Sequence, residues 1–192
     1  MIDLKNKPFL NTASGRHVYL DHVTEDVLSA EDIAHNLNNI CRFGGSTKYP
    51  FSVLQHSFVV HDIVAEIHMR CIEGRNKSLA AALLHDAAES IIGDIPSPLK
   101  SKLPYIKKLE ARIMKVIMKK WKLADYDFIF SKEADLIAMY AEASILLPGQ
   151  KIFVTKQSAF HDKYINVAIQ AVEKYMDAVN LRARYVYLLD NL

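Results

Sequence analysis

The sequence predicts an all-α fold, a single helical bundle, and three observations carry that reading. Apolar residues recur at helical spacing through most segments, and Ser-led capping motifs open several of them. Gly and Pro number only six each in 192 residues and gather in a few breaks. Hydrophobic residues make up 51% and charged residues 24%, a globular balance with apolar side chains enough for one substantial core. The expected organisation is one domain over 1–192, with an N-terminal arm ending near residue 28 and no repeat or linker.

In the arm, Ser14-Gly15 marks a turn and Val18-Tyr19-Leu20 reads as a short strand or extended stretch. Ser29-Ala-Glu-Asp is like a capping box with Asp32 in place of Glu or Gln, and Ile33, Leu37, Ile40 and Cys41 stripe the helix it opens. Gly44-Gly45 and Pro50 break that stretch. Ser52-Val-Leu-Gln is a full capping box, and a helix over 52–73 follows. His56, Val60, Ile63 and Ile67 recur there at i, i+4, i+7 and i+11, which turns His56 to the buried face. Another helix is expected over 78–91. Gly93, Pro96, Pro98 and Pro104 make 93–104 a rigid loop. From Tyr105 to Trp121, Ile106, Leu109, Ile113 and Ile117 form a stripe. Lys107, Lys108, Lys115 and Lys119 fall off it, as on the solvated face of an amphipathic helix. Ser131 caps a helix that stops at Pro148-Gly149. A last long helix carries Ile165, Ile169, Val172, Met176 and Val179, a stripe that can serve a homo-oligomer interface.

The chemistry concentrates in residues 85–94, His-Asp-Ala-Ala-Glu-Ser-Ile-Ile-Gly-Asp. On a continuous helix His85 and Glu89 share a face with Asp86 at its edge, and Asp94 follows just past Gly93. Four polar groups on an otherwise apolar segment are costly to bury unless they bind something, and a divalent metal offsets that cost. The dipeptide alone says little, because His61-Asp62 and His161-Asp162 repeat it. No carboxylate follows within a turn at 161, and none before Glu66 at 61, so both read as structural. His56 alone fits a hydrogen-bonded core histidine; beside His85-Asp86 from another helix it gains weight as a ligand. Asp135, in the first turn of the helix capped by Ser131, suits the helix dipole as well as a metal, and spacing does not choose between them.

His56, His85-Asp86 and Asp135, on successive helices, resemble the H…HD…D ligand set of the HD-domain metal-dependent phosphohydrolases. The likeness runs from about Thr12 to Pro148. Asp32-Ile-Ala-His-Asn-Leu, Cys41-Arg-Phe-Gly-Gly, Ser52-Val-Leu-Gln-His-Ser, His85-Asp-Ala-Ala-Glu, Gly93-Asp and Pro98-Leu-Lys resemble a phage and bacterial subgroup. It includes the 5′-deoxynucleotidases and the dATP triphosphohydrolases of phages that exclude adenine from their DNA. Ser90 after Glu89 departs from the Glu-Asp typical of the family's guanosine tetraphosphate hydrolases.

The resemblance implies an HD-type bundle that hydrolyses a deoxynucleotide between the 5′ oxygen and the α-phosphorus. A dATP triphosphohydrolase leads, with a 5′-nucleotidase close behind and a non-catalytic nucleotide-binding module as the alternative. His56, His85, Asp86 and Asp135 would hold a divalent ion; this nitrogen and oxygen set suits Co, Mn, Zn or Ni, with Mg also admissible. Glu89 and Asp94 would handle protons in an order the sequence does not fix. Arg42, before Phe43-Gly-Gly, would clamp phosphate from a helix end, with Lys100 as a second cation. Arg16, His17 and Tyr19 resemble the segment near the nucleoside, where His17 or Tyr19 would stack on a base.

A net charge of +2 does not call for a nucleic-acid partner. No apolar run reaches membrane-spanning length, the polar start lacks a signal-peptide core, and Cys41 and Cys71 fall in predicted helices. The expected setting is the cytoplasm, that of the host for a phage-encoded chain.

Overall fold

The computed structural model describes residues 7–68, 74–149 and 159–191. The described residues are mostly helical, around one core that draws side chains from Leu28 to Leu189. The arm forms a small antiparallel hairpin, β1 (Leu10–Asn11) against β2 (His17–Val18), with Leu10 opposite Val18. Asp32, buried near the start of α1 (Ala30–Asn39), pins this hairpin. It accepts from the Ser14 amide at 2.7 Å and the Ser14 hydroxyl at 2.8 Å, while the Ser29 hydroxyl accepts from its amide. The Ser29 hydroxyl also donates to the Asp32 carboxylate at 2.9 Å, so the cap and the tether share it.

At the centre lies α2 (Val53–Ile67), opened by the capping box between Ser52 and Gln55. Nearly all its faces are covered: Leu54, Phe58, Val59, Val60, Ile63 and Val64 are all fully buried. A helix apolar all round belongs inside a bundle. It packs against α3 (Arg75–Leu84), α7 (Ile129–Leu146) and α8 (Ala159–Met176). The predicted stretch 69–73, with Cys71, lies outside the described residues.

Five expectations need correction. The helix predicted over 78–91 breaks: α3 ends at Leu84, and α4 covers only Glu89–Ile92. Between them Ala87 and Glu89 donate to carbonyls three residues back, so tighter turns carry His85 and Asp86. The loop 93–104 contains a helical turn, α5 (Ser97–Lys100), because Pro98 near its start has no amide to leave unpaired. The next helix, α6 (Pro104–Lys120), buries Leu109, Ile113 and Ile117 and exposes Lys107, Lys108, Lys115 and Lys119, as expected.

Ser131 is not a cap but a buried residue within α7, which begins at Ile129 because the turn Asp125–Phe128 leads into it. Cys41 is exposed beyond α1, where the chain is extended and Arg42 donates to the Phe51 carbonyl. The last helix divides. Left-handed Asn180 separates α8 from α9 (Leu181–Asp190), and Val179 is exposed. The core face of α8 is Tyr164, Ala168, Ala171, Val172 and Tyr175, rotated from the predicted stripe. Among the described residues no helix is long and apolar enough to cross a membrane.

Candidate metal centre

Four ligand-type groups converge beside α2. Its first turn supplies His56, the turn after α3 supplies His85 and Asp86, and α7 supplies Asp135. One atom from each lies within 4.8 Å of the others. His56 Nε2 is 3.1 Å from His85 Nε2, 3.1 Å from Asp135 Oδ1 and 3.5 Å from Asp86 Oδ2. His85 Nε2 is 3.1 Å from Asp86 Oδ2. Because α7 starts at Ile129, Asp135 stands in its second turn, where the helix dipole gives little reason for an acid.

The far nitrogens of both rings face acceptors. His56 Nδ1 is 2.6 Å from Glu142 Oε1, and His85 Nδ1 is 2.8 Å from the Ala82 carbonyl. Each ring can therefore donate through Nδ1–H, which leaves Nε2 as the atom that faces the shared space. Two ring nitrogens and two carboxylates at this spacing call for positive charge among them, which ring protons or a cation can supply. Burial opposes a charged imidazole at both histidines, and Arg42 adds to this at His56; the surrounding carboxylates nevertheless hold both above their ordinary value. Against its own burial, Asp86 is held far below the usual carboxylate range by the two rings. The residues fit a divalent ion with mixed nitrogen and oxygen ligands.

The two further acids stand beside this cluster. Glu89 is 3% exposed; Lys100 Nζ lies 3.2 Å from its Oε1, while Oε2 has no hydrogen-bond partner among the described residues. Burial, then the charges of Asp86 and Asp94, push its carboxyl up to about 8 despite Lys100. Burial also raises Asp94, whose Oδ2 lies 3.9 Å from Arg42 Nη1. Lys100 is shared, with Glu110 Oε1 at 2.9 Å on its other side.

Arg42 was expected to be fixed at a helix end. Instead it lies in a 3-10 turn beyond α1, and a carboxylate fixes it: Nε and Nη2 donate to Glu142 Oε2 at 3.3 and 3.2 Å. The next residue, Phe43, has a left-handed backbone (φ 54°), a conformation that costs energy for a side chain of this size. Arg42, Phe43, Asp94, Pro96, Pro98 and Met139 line a cavity of about 170 Å³. A larger cavity, about 590 Å³ between the arm, α1 and α9, shares none of these residues.

The arm candidates make their described contacts locally. Arg16 Nη1 donates to the Asp26 carbonyl, His17 stacks on Phe9 at 3.9 Å, and Tyr19 meets Phe9 edge-on. None of these contacts reaches the cluster. Sequence reasoning missed Glu142, Glu110 and Phe43. For Glu142 a signal existed, since an acid seven residues past Asp135 in an apolar helix shares its face.

A helical domain that draws two histidines and two aspartates into one cluster, in the order H…HD…D, is of the HD type. Residues 32–180 match the family described as 5′-deoxynucleotidase YfbR-like. The chain belongs to this family, one of metal-dependent phosphohydrolases. Among its relatives, the uncharacterized protein YfdR of Escherichia coli (strain K12) is 37% identical over 134 residues, 70% of either chain. An uncharacterized protein of Rhodobacter capsulatus is 38% identical over 90 residues, 46% of this chain and 44% of the relative.

Proposed function

We propose that the protein is a 5′-deoxynucleotidase that hydrolyses deoxynucleoside monophosphates between the 5′ oxygen and the α-phosphorus. The observation that carries this reading is the convergence of His56, His85, Asp86 and Asp135 next to a cavity walled by Arg42 and Asp94. Those four residues would hold a divalent ion, which supplies Lewis acidity at a phosphoryl oxygen and a more acidic water. Arg42 grips the phosphate through the guanidinium edge that Glu142 leaves free. Glu89, pushed up to about 8, carries a proton at neutral pH that it can give to the departing 5′ oxygen. Asp94 receives the proton of the attacking water. Phe43, on the cavity wall, faces the nucleoside, and His17 and Tyr19 are the second candidates.

The same bond could be cut in dATP, with triphosphate leaving, and the phage-type sequence blocks favour that second reading. Charge favours the monophosphate. Among the described residues, the cations paired with acids beside the cluster are Arg42 and Lys100, and each already meets two carboxylates. A triphosphate would bring more negative charge than they can balance.

Incubation of the purified protein with each dNMP, dNTP and rNTP, with Co, Mn, Zn or Mg in turn, tests the proposal. Phosphate released from dNMPs supports the nucleotidase. Triphosphate plus deoxynucleoside from dATP moves the answer to the second reading. No turnover with any metal would sink both and leave a nucleotide-binding module.

A further inference from the structure

Glu142 has a side chain with 0% exposure, and each of its oxygens serves a different functional group. Oε1 meets the Nδ1 of His56, and Oε2 meets the Nε and Nη2 of Arg42. We infer that Glu142 is a shared positioning residue, one carboxylate that fixes both the His56 ring and the Arg42 guanidinium, so that ion and phosphate are held in one register. The inference rests on reading the cluster as a metal centre and concerns no particular nucleotide.

A buried ion pair alone would be weak evidence of purpose, since apolar residues of similar volume often stabilise a core as well. The way the oxygens are divided argues for more. Had the acid served Arg42 alone, the fork geometry would favour both oxygens on the guanidinium. Here one oxygen takes two of its nitrogens, which leaves Nη1 turned towards Asp94 on the cavity wall. The other oxygen lies 2.6 Å from Nδ1 of His56, and a proton held there leaves Nε2, which faces His85, Asp86 and Asp135, to give its lone pair to an ion. Asp135 and Glu142 share one face of α7, so a single rigid helix carries a cluster residue and the group that orients two others.

Only a carboxylate can do this. Both partners are donors, and a glutamine offers one acceptor and one donor end. In a Glu142→Gln protein the amide oxygen could accept from Arg42 or from His56, but the N–H₂ end would then oppose the other. If it opposed His56, the ring would move its proton to Nε2 and lose its lone pair towards the cluster.

Three readouts test this without turnover: calorimetric titration of the metal-free protein with Co or Zn, inorganic phosphate binding to the metal-loaded protein, and the His56 tautomer from long-range ¹H–¹⁵N spectra of the zinc-loaded wild type. The wild type is expected to hold His56 protonated on Nδ1. Glu142→Gln is expected to lose about 10–100-fold in metal affinity and about tenfold in phosphate affinity. Arg42→Ala should weaken phosphate alone, and adding it to Glu142→Gln should cost less phosphate affinity than the two losses combined. Wild-type metal affinity in a folded Glu142→Gln protein would overturn the inference, as would a wild-type His56 protonated on Nε2. The tautomer decides the matter if the variant does not fold. A wild type that turns over no nucleotide leaves these readouts intact, whereas one that binds no metal overturns the inference together with the metal reading beneath it.

Discussion

Two His-Asp dipeptides of identical chemistry meet opposite surroundings in this molecule. Asp62 of the first accepts from Lys174 Nζ at 2.7 Å and the Tyr175 hydroxyl at 2.9 Å, with His61 Nδ1 at 3.1 Å. Its charge is answered from within, and the pair ties α2 to α8. The second, His85-Asp86, meets another histidine and another aspartate, with no ammonium or hydroxyl among the described partners of Asp86. What separates a strut from a candidate metal centre is therefore the kind of neighbouring group, an ammonium and a hydroxyl at Asp62 against further ligand-type side chains at His85-Asp86. The third dipeptide is structural too: His161 lies near the start of α8 and meets Glu133 of α7 at 2.9 Å.

The largest effect is expected where the contrast is sharpest. Asp86→Ala should remove metal binding, measured as metal content after dialysis, and lower phosphate release by more than the about 10–100-fold that loss of an orienting partner costs. Full metal content in that protein would erase the distinction between the two dipeptides.

Asp62→Asn should do the reverse, leaving metal content unchanged and costing stability. Burial alone would raise Asp62, but His61, Lys174 and Tyr175 outweigh it and bring its carboxyl down to about 2. A folded value below the unfolded one, about 3.9, gives stability that is fully present above the unfolded value and lost as pH falls through about 2. With an allowance for solvent screening this amounts to about 1–2 kcal/mol at neutral pH, or about 2–8 °C in Tm. Thermal melts of both proteins should differ at pH 7 and converge between about pH 4 and pH 2. A gap that does not change with pH would refute the assignment.

Lys174→Ala should have the smallest effect. The lysine is 53% exposed, so its pair with Asp62 contributes about 0.5 kcal/mol or less. Added salt should narrow that difference in urea midpoints further. A loss as large as that of Asp62→Asn would mean that the ammonium, rather than the Tyr175 hydroxyl, holds the strut together.

Most of the helical frame was legible because its signals are local. The capping box at Ser52, the cap at Ser29 and the buried stripe of α6 each depend on residues within a few turns of one another. His56, His85, Asp86 and Asp135 were legible as a set through the order of short sequence blocks, and the structure brings them together. The readings that failed depended on neighbours distant in the chain. Nothing local announces that α3 stops at Leu84 or that α7 begins before Ser131. The orienting groups were hidden for the same reason: Glu142 lies 86 residues from His56 and 100 from Arg42.

By itself, then, the sequence determined the helical class, the capped helix that carries His56 on its buried face and the residue types that converge beside it, because periodicity and capping are properties of single segments. Only the tertiary structure decided which acid faces a cation and which faces another acid. Coulomb interactions depend on distance in space, and packing sets that distance without regard to separation along the chain.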